Sequence, residues 1–285
     1  MTTVQKIAYD QCKLCLTPRA KLAFKTPRFD LLVCSECRHL FSYVKVHPEH
    51  YEGDYFFDKQ KEYFTHPDIK LFDYMHQLVF QCRPNLKSKL TMLDAGTAIG
   101  VLPQHFNSMG YQSFGIDISQ DAILYGAEKL SIPRLEAIAI QNFKPNFLFN
   151  VIICNNVIEH VEDPNSFFRE VRRLLADEGL FLCITVNSDS LIFALAKWIY
   201  QATRGVCFQF LERVCEVHHL HHFNERSLEK SLENSGFRVI KRFGWNLPTN
   251  SISVTPIQKF IISFLYQISK LTNSYFLQGV VCVKK

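Results

Sequence analysis

Four of the ten cysteines in this 285-residue chain fall into two Cys-x2-Cys pairs, Cys12/Cys15 and Cys34/Cys37, with 18 residues between them. Two such pairs on facing turns bring four thiolates within reach of one tetrahedral Zn2+. Four sulfur ligands leave no open position, so the metal is expected to be structural and to supply folding energy to a segment too small for its own core. The intervening runs Lys21–Phe24 and Asp30–Val33 suit short hairpin strands, and residues 1–48 read as a small zinc ribbon. His39, just after the second pair, is the alternative ligand. Cys82, Cys154, Cys183, Cys207, Cys215 and Cys282 show no such pairing and read mostly as small apolar residues inside the fold.

A second constellation begins at Asp94. The run Leu90-Thr91-Met92-Leu93 leads into Asp94-Ala95-Gly96-Thr97-Ala98-Ile99-Gly100, and the text from Val101 is helical. Gly96 and Gly100 allow close approach of a ligand, and the helix start presents free N–H groups. A dinucleotide fingerprint requires glycine where this chain has Ala98 and Val101, so pyrophosphate is disfavoured. Asp94 would repel phosphate and suits an ammonium group. Asp117 ends a second strand 23 residues later, where a carboxylate can accept both hydroxyls of a ribose. Acid, small-residue loop and second acid together imply a ligand that joins an amino acid to a nucleoside, as S-adenosylmethionine does.

These residues need a framework. The chain carries 47% hydrophobic and 21% charged residues, which suits one α/β domain with a small appendage and excludes a disordered or fibrous protein. A formal charge of +5 is too weak to argue nucleic-acid binding by itself. The N-terminal text lacks a basic patch followed by an apolar run, so a cytoplasmic location is expected, and no apolar stretch reaches the roughly 20 residues of a membrane span. Residues 49–88 read as an aromatic, helical connector (Tyr51, Tyr55, Phe56, Phe57, Tyr63, Phe64, Phe72, Tyr74), with helical spacing strongest from Ile69 to Cys82.

The chain resembles the class I S-adenosylmethionine-dependent methyltransferases. The resemblance rests on Leu93–Gly100, on Gly115-Ile116-Asp117-Ile118-Ser119 and on the block Phe149–Pro164, which contains Asn155-Asn156-Val157-Ile158-Glu159-His160 and Asp163-Pro164. It implies an α/β, Rossmann-like sheet of seven strands over residues 89–285, with insertions at about 190–216 and 246–275. The segment Leu174–Phe181 would be the turn into strand five, and the runs from Gly236 and Gly279 a reversed edge hairpin. It also implies cofactor contacts from Asp94, Gly96, Thr97, Gly100, Asp117, Ile118, Asn155 and Asn156, with Gln141 or Asn142 near the adenine. Ala98 and Asn150 replace the family's usual glycine and aspartate by small residues. With the cysteine pairs included, the chain is similar to bacterial methyltransferases that carry a zinc segment and act on sugars or related small molecules.

Methyl transfer aligns the acceptor with a sulfonium and, for a hydroxyl or carbon acceptor, removes a proton. His160, His219 and His222 are the candidate bases, the last two within Cys215-Glu216-Val217-His218-His219-Leu220-His221-His222-Phe223 just before Ser227, the expected cap of the next helix. Three other readings compete: loop ordering by His160, a surface turn for residues 218–222, or a second metal site with Cys215. Glu159 reads as structural, and Asn187 as placed to meet an acceptor. The expected acceptor is a small molecule, a sugar or a polysaccharide or lipid-linked precursor. An RNA methyltransferase using the ribbon to hold substrate, or an inactive S-adenosylmethionine-binding module, are the alternatives. Leu191–Thr203 and the stripe Ile257, Phe260, Ile261, Phe264, Leu265, Ile268, Leu271 are expected to pack on the sheet, with a lid over the acceptor or peripheral membrane contact as the other reading.

Overall fold

A computed structural model of the chain describes residues 11–45, 66–84, 90–132, 134–251 and 255–285. The aromatic positions Tyr51, Tyr55, Phe56, Phe57, Tyr63 and Phe64 of the expected connector lie outside the described residues. Among the described residues, seven strands form the central sheet: β4 (Thr91–Ala95), β5 (Gln112–Asp117), β6 (Leu135–Ala137), β7 (Phe149–Asn155), β8 (Leu175–Val186), β10 (Phe237–Trp245) and β11 (Leu277–Lys284). Their order is β10-β11-β8-β7-β4-β5-β6. The strands β4 to β8 pair in parallel and β11 runs against both of its neighbours, so only β11 of the edge pair is reversed.

Parallel strands covered on both faces read as continuous apolar runs. Successive residues of β7 and β8 accordingly feed two cores: Ile152, Phe181 and Cys183 on one face, Val151, Ile153, Leu182 and Ile184 on the other. The expected turn into strand five is absorbed into the strand itself. Phe149 pairs with Leu175 while Val151 pairs with Leu180, so residues 176–179 bulge out of the ladder.

Helix α1 (Ile69–Cys82) starts at Asp68, whose side chain accepts from Leu71 N, and buries Leu71, Phe72, Met75, Leu78 and Val79 against the second core. Helices α2 (Val101–Ser108) and α3 (Gln120–Leu130) follow β4 and β5. Helix α4 (Pro164–Leu174) is capped by Asp163, carries Pro at its start and buries Phe167, Phe168, Val171 and Leu174, which leaves Arg169, Arg172 and Arg173 on the solvent side. Helix α7 (Glu225–Asn234) has a capping box in which Asn224 is the cap. Ser227, expected as the cap, is instead its partner at the third helical position, donating its N–H to Asn224 Oδ1 at 2.8 Å while its Oγ accepts from Asn224 N at 3.0 Å.

The cysteine segment forms a second, antiparallel sheet, β1 (Ala20–Lys25), β2 (Phe29–Cys34) and β3 (Leu40–Val44). A fourth strand, β9 (His221–His222), is supplied from between β8 and β10 and pairs with Leu40 and Phe41. Leu32 belongs to one core and Leu31 to the other, so the small sheet continues both faces of the large one.

The two insertions are helical: α5 (Leu191–Ala202), α6 (Phe208–Val214) and α8 (Pro256–Thr272). The expected packing of the α8 stripe on the sheet is not what the structure holds. Ile257, Phe260, Ile261, Phe264 and Leu271 are exposed, and the helix turns Tyr266 and Ser269 inward. Hydrophobic period reports that a stripe exists, not which way it faces.

Candidate functional site

The loop after β4 crosses the carboxyl end of the sheet. Gly96 adopts φ +89°, and a Cβ there would stand 2.3 Å from Val157 Cγ2, so this position requires glycine on both conformational and steric grounds. Ala98 adopts φ 50°, in the left-handed region, which explains why glycine is usual there and why a small residue is tolerated. Gly96 and Thr97 both donate their N–H to Ile116 O, at 2.8 and 2.9 Å, which holds the loop against β5.

Asp117, at the end of β5, accepts from Ala98 N at 2.8 Å and Ser119 N at 2.9 Å. These bonds fix the carboxylate at the loop, and each oxygen retains a lone pair for a further donor. Burial raises its pKa above the ordinary carboxylate range. Asp94 is fully enclosed at the base of the loop, and burial pushes its carboxyl up to about 7, with Thr97 opposing the shift and Asp117 adding to it. A cationic ligand beside it would restore the ionised form. Ile118 projects into solvent beside this pair. Asn155 ends β7, and Asn156, at φ 54°, donates its N–H to Ile184 O at 2.9 Å. Gln141 and Asn142 are exposed in a turn several residues beyond β6.

Across β7 and β8 from that loop lies the histidine cluster, and residues 218–222 are no surface turn. His218, His219, His221 and His222 are all buried, because β9 inserts between the ribbon and the central sheet. The His160 and His219 rings meet edge to face with centroids 4.7 Å apart. His160 Nδ1 lies 3.2 Å from His218 O, and a carbonyl only accepts, so Nδ1 carries the proton and Nε2 the lone pair. Burial, reinforced by His219, lowers the His160 pKa to about 3, and burial with His218 lowers that of His219 to about 4. Both are neutral near pH 7.

His222 is directed elsewhere: its Nε2 lies 2.8 Å from Ser42 Oγ of β3. His221 Nδ1 lies 2.9 Å from His39 Nε2, which employs His39 in the same seam. Asn187 also fastens the fold, with its Nδ2 donating to Tyr275 O and its Oδ1 accepting from Asp189 N.

Glu159, expected to be structural, is bonded to two neighbouring segments and also faces the histidines. Its Oε2 accepts from Thr185 Oγ1 at 2.8 Å, its backbone carbonyl accepts from Leu220 and His221, and Oε1 is buried with no partner among the described residues. Burial raises its pKa to about 7. Glu159, His160 and His219 offer ligand atoms all within 4.8 Å of one another, so a cation-compatible trio stands here, and Cys215 is not part of it. The available signal was an acid next to histidine four residues past a strand whose centre, Val151–Cys154, is apolar.

At the other end of the ribbon, Cys12, Cys15, Cys34 and Cys37 place their sulfurs within 4.8 Å of one another. The Cys12–Cys37 and Cys15–Cys34 sulfur separations are 3.7 and 3.6 Å. Sulfurs about 2.3 Å from a tetrahedral ion stand about 3.8 Å apart, so the four fit such a centre. Leu14 N lies 3.4 Å from Cys12 Sγ, positioned to donate to that sulfur.

A family model described as a methyltransferase domain matches residues 68–242 of this chain. The chain belongs to that methyltransferase domain family. Among curated relatives, a ubiquinone biosynthesis O-methyltransferase of Rhodopseudomonas palustris (strain HaA2) is 29% identical over 156 residues, covering 50% of this chain and 61% of the relative. One from Bradyrhizobium sp. (strain ORS 278) is 33% identical over 118 residues, covering 39% and 46%. The match thus spans about three fifths or less of these relatives. Among solved structures, an S-adenosylmethionine-dependent methyltransferase from Clostridium acetobutylicum ATCC 824 superposes with a TM-score of 0.53 at 12% identity, covering 81% of this chain and 96% of that one. The magnesium protoporphyrin IX methyltransferase of Synechocystis PCC 6803 with bound SAH superposes with a TM-score of 0.53 at 16% identity, covering 81% and 97%. These likenesses establish the class I methyltransferase fold.

Proposed function

We propose that this chain is an S-adenosylmethionine-dependent methyltransferase acting on an oxygen of a small-molecule acceptor, a sugar or a lipid-linked precursor, with Zn2+ held as a structural ion by Cys12, Cys15, Cys34 and Cys37. The observation that carries the reading is the juxtaposition at one sheet end: the Asp94–Gly100 loop pinned to Asp117, with His160 and His219 across the next two strands. The names of the curated relatives favour an oxygen acceptor. Bound S-adenosylmethionine supplies an electrophilic methyl on a sulfonium. The chain's own residues do the rest: Asp117 takes the ribose hydroxyls, Asp94 the ammonium end through direct or water-mediated hydrogen bonds, Gly96, Thr97, Gly100 and Ile118 form the walls, and Asn155 and Asn156 close the far side. His160, with Nε2 unprotonated, accepts the acceptor's proton as the new bond to the methyl carbon forms, and because burial, reinforced by His219, lowers its pKa to about 3, the charge it takes up must be balanced by the Glu159 carboxylate within 4.8 Å of it. His219 lies beside it as the second candidate, and His222 positions the segment through Ser42.

The test is a panel of nucleotide sugars, phenolic quinone precursors and RNA, incubated with the zinc-loaded protein and S-adenosylmethionine and read by mass spectrometry for one added methyl. With an acceptor in hand, His160→Ala lowers kcat at saturating cofactor at least about tenfold, the low end of a general base's contribution. If neither His160→Ala nor His219→Ala does so, the proton is taken by another group.

A further inference from the structure

A cavity of about 280 Å³ lies between the cysteine ribbon and the segments that follow β8 and β9. Its ribbon side is Arg38 with the apolar Phe24 and Leu40, and its other side includes Asp189, Lys197 and Arg226. Three of these side chains are cations and one is an acid. None of the three cations forms an ion pair among the described residues, and two acids close to them in sequence are committed elsewhere, Glu36 to Arg19 and Glu225 to Arg242, both at 2.8 Å. Most of the cations' donors are also unspent. Lys197 Nζ donates to Ser188 O at 2.8 Å, Arg226 Nη2 donates to Glu36 O at 3.3 Å, and the Arg38 guanidinium donates to no group among the described residues. Burial lowers the Lys197 pKa; Asp189 and Cys215 oppose that shift and Arg38 adds to it, so the Arg38 charge is felt at Lys197. Like charges crowded in this way favour an anion between them.

The backbone points to the same use. Arg38 adopts φ 62°, in the left-handed region that glycine enters without strain and a long side chain does not. The turn is held there by Arg38 N donating to Cys34 O and by Asn224 Nδ2 donating to Arg38 O, both at 3.0 Å, and neither bond needs a guanidinium. Directly after Cys37, the ribbon thus carries an arginine where its turn would accept glycine, and strain of this kind marks a side chain with a task. Helices α5 and α7 start beside the cavity, capped by Ser190 and Asn224, and bring the positive ends of two helix dipoles to it.

We propose that this cavity binds a phosphoryl group, a phosphate or diphosphate carried by the small-molecule acceptor, with Arg38, Lys197 and Arg226 as its donors. Guanidinium groups meet phosphoryl oxygens in pairs and the ammonium acts as a point charge. The volume stands at the lower edge of small-molecule pockets, which gives room for the phosphoryl group and the part of the acceptor next to it, packed on Phe24 and Leu40. Leu40 is the cross-strand partner of His222, so the anchored end lies one strand from the histidine seam. That the anchored molecule is the methyl acceptor rests on the methyltransferase reading; the anion site does not. The ribbon thereby contributes to acceptor recognition as well as to folding.

The test is calorimetric titration of the full, zinc-loaded chain with inorganic pyrophosphate, inorganic phosphate and a short single-stranded RNA, beside a titration with S-adenosylmethionine. Pyrophosphate is expected to bind more tightly than phosphate, because it reaches more of the donors. Arg38→Gly and Arg226→Ala each weaken pyrophosphate at least about tenfold, with the urea midpoint and S-adenosylmethionine affinity unchanged. Glycine suits the left-handed turn, so Arg38→Gly removes the side chain without disturbing the ribbon. Absence of pyrophosphate binding, or equal affinity in both variants, overturns the proposal. So does RNA binding that is tighter than pyrophosphate binding and is lost in the same variants, since a nucleic-acid backbone then fills the site. S-adenosylmethionine binding without pyrophosphate binding overturns this inference alone; pyrophosphate binding without S-adenosylmethionine binding upholds the anion site and contradicts the reading of the cleft.

Discussion

A methyl group at position 96 has nowhere to go, since Val157 stands within 2.3 Å and the backbone is held at φ +89°. Gly96→Ala is therefore expected to shift the loop, cost about 1–3 kcal/mol of stability and weaken S-adenosylmethionine binding at least about tenfold, read by urea titration and calorimetry. Asp94 makes a pH prediction. Its buried carboxyl titrates at about 7, so the group is largely protonated below that value unless a cation enters. Affinity for a ligand with an ammonium group is expected to fall about tenfold per unit as pH drops below 7 and to level off above it. Titrations at pH 6 and pH 8 check this, and equal affinities would remove Asp94 from the ligand. Both acids were legible in the sequence because strand-end carboxylates flanking a small-residue loop are a local pattern. The employment of Asn187 was not legible, because its partner, the carbonyl of Tyr275, lies far along the chain.

Strand β9 shows why one element escaped sequence reasoning. Two residues carry no periodicity, and the pairing of His221 and His222 with Phe41 and Leu40 crosses most of the chain, so the histidine run offered candidate bases, or a surface turn, but no strand. Placed in the seam, they acquire an acid dependence. Burial lowers the pKa values of His160, His219 and His221 to about 3, 4 and 3, and drives that of His222 well down. The unfolded chain takes up these protons below its ordinary histidine pKa of roughly 6.5, and the folded chain does not, so stability present above that value is lost as pH falls. Asp94 and Glu159, raised to about 7, act in the opposite sense, since the folded form holds their protons and gains stability as pH falls. Four imidazoles outweigh two carboxyls. Urea midpoints are expected to drop between pH 7.5 and 5.5, and His221→Asn to shrink that drop; a flat profile would mean the seam is hydrated. Helix α1 was legible from Ile69 to Cys82 because burial of one face needs only the 3.6-residue spacing.

The ribbon and the central sheet share both cores, with Cys12, Leu14, Cys34 and Cys37 packed in one cluster with Leu93, Ile152 and Phe223. Asn165 of α4 also donates to Leu14 O at 2.8 Å. Loss of metal from the four thiolates is therefore expected to lower the unfolding free energy of the whole chain by several kcal/mol in one transition, since the ribbon shares its core with the sheet and does not melt first. Chelator titration followed by circular dichroism, with Cys34→Ser as the matching variant, checks it; two separate transitions would show the ribbon to be a detachable module. The parallel sheet and its motif-bearing loops were readable from sequence because each strand, loop and helix is a local unit. The way β9 locks the ribbon to that sheet was not, because it depends on a long-range pairing. The central claim is that the Asp94–Asp117 end of this sheet holds S-adenosylmethionine. Calorimetric titration of the zinc-loaded chain with S-adenosylmethionine, S-adenosylhomocysteine and NAD, repeated with Asp117→Ala, tests it most directly. The account predicts binding of the first two with Kd on the order of micromolar, none for NAD, and at least about tenfold weaker binding in the variant. Absence of binding by either adenosyl compound, or equal affinity in Asp117→Ala, would contradict it.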